Sequence, residues 1–124
     1  ENESENFRAV FDGSLAAGRP GAAARIAFQR VAYWLLSGQF HEGRRRVLEC
    51  LDRCDELSVR DQSDCHAAIA GLSTLTKSYE FVLDHGTRAV DLASGRRDAL
   101  VTVAFCARGF AHAIRAAFSG RRPS

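Results

Sequence analysis

Ala99-Leu100-Val101-Thr102-Val103-Ala104-Phe105 is the stretch on which the fold turns. Its β-branched residues suit a buried strand. A strand needs a partner for its backbone groups, and no second run of that type occurs in the chain. The stretch therefore reads as the start of a helix from roughly Arg97 to Phe118, closed by Gly120. Phe105, Phe110, Ile114 and Phe118 cover a broad arc of that helix, more than one core-facing stripe requires.

Working back from there, apolar residues recur at helical spacing along the rest of the chain. Phe7, Val10, Phe11 and Leu15 mark a first helix, capped by Asn2 or Ser4 and stopped by Gly18-Arg19-Pro20-Gly21. Ile26, Ala27, Val31, Trp34 and Leu35 mark a second, ending near Gly38. Val47, Leu48, Leu51, Cys54 and Leu57 lie on one side of a third that starts at Phe40. A fourth is expected from about Ser63, through Ile69, Leu72, Leu75, Tyr79 and Val82, to Asp84, with His85-Gly86 as its end. Such a helix would be about 33 Å long, against a radius of gyration of about 14 Å. The expectation is an all-α fold: one domain over residues 1–124, a compact bundle of four to five helices in antiparallel hairpins, with 1–5 and 120–124 frayed.

Of the 124 residues, 46% are apolar, which excludes a disordered chain. No uninterrupted apolar run approaches 18 residues, so no membrane span is expected. Seventeen basic residues nearly cancel fifteen acidic ones, leaving a formal charge of +2 and no global field that would announce nucleic acid. Nearly all the bases are Arg; Lys77 is the single lysine.

Ser37-Gly38-Gln39-Phe40-His41-Glu42-Gly43, with Val47, Cys50 and the preceding Trp34, resembles the turn and second helix of a tetratricopeptide repeat. The resemblance covers about a quarter of the chain and implies a local antiparallel helical hairpin. It does not recur 34 residues later, where Leu72 to Leu83 carries no such turn, so a solenoid is not expected.

Four cysteines are the most specific chemical feature. Cys50 and Cys54 share a helix face, and a hairpin between the third and fourth helices brings Cys65 back to the level of Cys54. They read as small buried residues, as disulfides (Cys54 or Cys50 to Cys65, with Cys106 meeting the remaining thiol), or as a zinc set of Cys50, Cys54 and Cys65 with His66 or Cys106. The spacing lacks the paired CxxC knuckles of a strong zinc site, so no cofactor is expected. His41, His66, His85 and His112 are scattered, with His85 read as a helix-end residue. No nucleophile-elbow, phosphate-loop or HExxH spacing appears, and the chain is not expected to be an enzyme.

Arg44, Arg45, Arg46 and Arg53 form a basic rim among Glu42, Glu49, Asp52, Asp55 and Glu56. Here a salt-bridged face is weighed against phosphate or nucleic-acid contact. The leading expectation is a non-catalytic interaction domain that binds another polypeptide through an apolar face and self-associates, most simply as a homodimer. Tyr33, Trp34, Phe40, Tyr79 and Phe81 are its candidate contact residues. The alternatives are an Arg-based nucleic-acid or phosphate binder, and a secreted, disulfide-bonded bundle acting as ligand or inhibitor. An intracellular placement is expected, and a secreted one if disulfides are present.

Overall fold

A computed structural model describes residues 2–120, with side chains from Glu5 to Phe118. Glu1 and residues 121–124, where part of the expected fraying falls, lie outside the described residues. Helix α1 spans Asn2–Ala16, α2 Pro20–Phe28, α3 Val31–Ser37 and α4 Phe40–Leu51. After a 3₁₀ turn at Cys54–Glu56 follow α5 (Val59–Ser73), α6 (Tyr79–Ala93) and α7 (Ala99–Gly120). Among the described residues there is no strand, and Ala99–Phe105 opens α7 as a helix.

The punctuation has local causes. Gly18, at φ 76°, and Pro20, at the first turn of α2, separate the first two helices. Gly38, at φ 74°, ends α3 in the left-handed conformation, and the next amide, Gln39 N–H, closes onto Trp34 O at 2.9 Å. The hydroxyl of Ser58 accepts from Asp61 N–H at 3.0 Å and that of Ser78 from Phe81 N–H at 3.3 Å, capping α5 and α6. Asp98 does the same for α7 through Val101 N–H at 3.1 Å.

Among the described residues seven α-helices stand where the periodicity predicts four or five, because two expected helices are interrupted. The second divides at Gln29–Arg30 into α2 and α3. The long helix from Ser63 to Asp84 does not exist: α5 begins earlier, at Val59, and stops at Ser73. The chain then turns, with Thr76 and Lys77 N–H both closing onto Ser73 O, and Ser78 restarts it. Leu75, although in helical phase with Leu72, is exposed in that turn. His85-Gly86 does not end a helix; both lie inside α6. Gly86 is a packing position, where an added Cβ would sit 3.4 Å from Arg108 Cβ and 3.5 Å from Ala104 O.

Side-chain pairs fix the helix directions. Ser63 Oγ donates to Ala89 O at 2.7 Å, His66 meets His85, and Ala70 packs with Val82, so α5 and α6 are antiparallel. Arg44 reaches Leu72 O while Gln62 reaches Cys54 O, which sets α4 antiparallel to α5. Helix α7 returns along both: Tyr79 meets Arg115 and Gly86 meets Ala104, whereas Asp64 pairs with Arg96 and Ala70 packs with Ala107.

Helix α5 lies at the centre of this arrangement, with Asp61 and residues 63–73 buried. Its Ala67, Ala68, Ala70 and Gly71 let neighbours approach closely. The main core gathers Phe11, Trp34, Val47, Cys50, Ile69 and Leu72. An added Cβ on Gly43 would lie 2.8 Å from the Trp34 ring, so that position tolerates only glycine without a shift.

Candidate functional site

Helix α7 leaves much of its apolar surface uncovered. From Ala99 to Phe118 its mean hydropathy reaches 1.2 over 18 residues, yet only 22% of that window is buried. Arg108 and Arg115 interrupt the run, which is why no continuous apolar stretch is visible in the sequence. By length and composition α7 could cross a membrane. It is the one such helix among the described residues.

Phe105 (40% exposed), Phe110 (43%) and Phe118 (65%) face outward along α7. Beside them runs an open groove of about 430 Å³. Its walls come from α3, α5 and α7: Leu35, Gly71, Val103, Ala107 and Phe110, with Cys106 at its edge. The floor is close-packed, since a Cβ on Gly71 would fall 2.5 Å from Val103 Cγ1. The groove carries almost no polar surface and no paired acid and base.

The five expected contact residues separate. Tyr33 is exposed; Phe40, Tyr79 and Phe81 are half-buried. Trp34 is 1% exposed and belongs to the core, its ring edge-on to Phe7 at 5.6 Å, so the expectation of an outward anchor is corrected there. Its helix, α3, turns its Val31 and Trp34 face inward over α4 and α5. Tyr33 instead stacks under Arg30, 4.5 Å from the guanidinium, on the opposite face of α3 from the groove residue Leu35.

Nor do the four arginines make an exposed patch. Arg46 is 4% exposed, with Asp12 at 2.8 Å, Glu42 at 3.0 Å and the Phe11 ring beneath it at 5.1 Å. It ties α1 to α4. Arg45 pairs with Glu42 at 2.7 Å, and Arg53 with Glu56 and the Leu15 carbonyl. Arg44 is also buried, but differently: its Nη1 donates to Leu72 O at 3.0 Å and Thr76 Oγ1 at 2.6 Å, both neutral acceptors.

All four cysteines are free thiols. Cys50 and Cys65 share the main core, while Cys54 and Cys106 are exposed, so Cys54 and Cys65 are not brought together as a pair. Burial pushes the Cys50 thiol up to about 12 and raises that of Cys65 further. Among the described residues no three His, Cys, Asp or Glu side chains gather as a metal site, so Cys50, Cys54, Cys65 and His66 do not converge.

His66 has another partner. Its Nδ1 lies 2.8 Å from Nδ1 of His85, the rings are stacked with centroids 5.0 Å apart, and Phe81 covers His85 at 4.7 Å. One neutral imidazole donates and the other accepts. Burial, then the neighbouring His85, lowers His66 to about 4; burial lowers His85 too. Periodicity placed His85 at a helix end, and so this pairing could not be read from it.

At the start of α7 a further cluster joins Asp64, Arg96, Asp98 and Arg60. Asp64 is 3.2 Å from Arg96, and Asp98 is bonded to Arg96 as well. Burial raises the Asp64 carboxyl in spite of these cations. Asp98 ends below its ordinary value: burial pulls it upward, but Val101 N–H and Arg96 outweigh that. Set against protein-family models, curated proteins and solved structures, the chain finds no match.

Proposed function

We propose that the chain is a non-catalytic helical interaction domain that binds another polypeptide through the α3–α5–α7 groove and the exposed face of α7. The supporting observation is the mismatch within α7: a helix apolar enough for a core is 22% buried over its most apolar window. Apolar surface of this extent on a small domain marks a place where another surface belongs. The groove offers shape and apolar contact, with aromatic Phe110 at its wall as an anchor. A second copy of the chain is the simplest occupant. Stable association needs about 800 Å² from each partner, and the total surface is 7132 Å².

Sedimentation equilibrium from 1 to 200 µM tests this reading, as the domain of 13.6 kDa is easily told from its dimer. The expected result is a mass that rises with concentration in the parent and stays at one chain in Phe110→Asp. A single-chain mass throughout, in both proteins, would remove self-association from the proposal.

A further inference from the structure

Arg44 stands apart from the ion-paired arginines of this chain. Arg25, Arg45, Arg46, Arg53, Arg60, Arg88 and Arg96 each have a carboxylate within 4 Å; Arg44, 8% exposed, has none among the described residues. Its two hydrogen bonds go to a carbonyl in the last turn of α5 and to a hydroxyl in the turn that follows. The negative end of α5 supplies about half a unit of opposing charge. The remainder of the guanidinium charge is uncompensated.

That charge borders a concavity of about 360 Å³ between α4 and the start of α6. Lys77 lines the same concavity, held 5.7 Å above the Phe81 ring, and His41 lines it too. Leu48 and Phe81 supply an apolar wall. Two carboxylates also border it. Glu49 is held by Arg45 at 3.6 Å and Arg46 at 3.9 Å. Asp52 lies about 12 Å from Arg44 along the helix axis and forms no ion pair with it. Three cations, Arg44, Arg45 and Lys77, thus share the concavity with two carboxylates, and of the three Arg44 has no carboxylate partner among the described residues.

We propose that Arg44 and Lys77 form a binding site for a small organic oxyanion, a carboxylate or a phosphate monoester, whose apolar body lies against Leu48 and Phe81. The guanidinium presents fixed donors for the oxygen atoms. Lys77 contributes a mobile second charge. Arg45 also lines the concavity but is paired with Glu42 and Glu49, and Arg46 and Arg53, likewise ion-paired, are not among its lining residues.

The test is an amide ¹H–¹⁵N NMR titration at constant ionic strength with phenyl phosphate, benzoate and inorganic phosphate, one at a time. The expected result is saturable shifts confined to residues 41–48 and 76–81, with a phenyl-bearing probe at least about threefold tighter than inorganic phosphate. Saturation by benzoate alone assigns a carboxylate head, and by phenyl phosphate alone a phosphate. Lys77→Glu, at an exposed position, should weaken binding by roughly tenfold or more. Arg44→Met should abolish it; if that variant fails to fold, Lys77→Glu decides. Absence of saturable shifts with all three probes, or unchanged affinity in Lys77→Glu, overturns the proposal.

Discussion

Acidification should unlock the α5–α6 interface through His66. This side chain is 9% exposed and meets His85 at 2.8 Å across the two helices. Its pKa falls from 6.5 to about 4 on folding. The unfolded chain therefore binds the proton more readily, and stability rises with pH between these values. The contribution is fully present above pH 6.5 and is lost as the pH falls towards 4. At 1.36 kcal/mol per unit, the whole shift corresponds to roughly 3 kcal/mol, most of which is lost between pH 7.5 and 4.5. His85, lowered as well, acts in the same direction. Asp84 and Arg88 flank the pair with opposite effects: the carboxylate favours the protonated form and the guanidinium opposes it. Asp98, which is lowered, loses stabilisation on acidification in the same direction, whereas Asp64, raised by burial, works against it. Urea denaturation followed by helical circular dichroism, at half-unit steps from pH 7.5 to 4.5, reads the slope directly. His66→Gln, which removes the titrating ring, should flatten it by more than half. Parallel loss of stability in parent and variant would refute the argument, because the slope would then come from other groups.

Two further outcomes follow from packing. Gly43→Ala gains about 1 kcal/mol of helix propensity but drives a methyl to within 2.8 Å of the Trp34 ring; the overpacking should leave it less stable by about 1 kcal/mol or more in thermal melts. A variant as stable as the parent would show that Trp34 can move. Labelling with a thiol reagent under native conditions should modify Cys54 and Cys106 quickly, whereas Cys50 and Cys65 should react only after urea is added. Rapid reaction of all four would contradict the burial of the core pair.

The fold class was legible because it rests on a negative that a sequence can display: Ala99–Phe105 has no strand to pair with. Helix ends were legible where glycine or proline marks them, as at Gly18, Pro20 and Gly38. They were hidden at Thr74–Ser78, where Leu72, Leu75 and Tyr79 keep helical phase through a turn made by Ser73 O and the Ser78 cap. Gly86 misled in the opposite sense, because a glycine that admits a neighbouring helix looks in sequence like one that ends its own. The same loss of register hid the His66–His85 pair. The apolar excess of Phe105, Phe110 and Phe118 was visible, but its companions Leu35 and Val103 come from tertiary packing. The triplet Arg44-Arg45-Arg46 shows the limit most clearly. Three identical neighbours point in three directions on a helix, and only their surroundings separate the unpaired one from the two that are neutralised.

The enclosure of α5 has a kinetic consequence. A helix at the edge of a domain can fray or detach while the remainder persists, and its amide hydrogens then exchange with solvent by that local route. Helix α5 has no such exit, since twelve of its fifteen residues are buried and α4, α6 and α7 all rest on it. Its amides should exchange only when the whole domain opens, so their rate measures global unfolding. Anything that speeds exchange in α5 therefore destabilises every other helix with it.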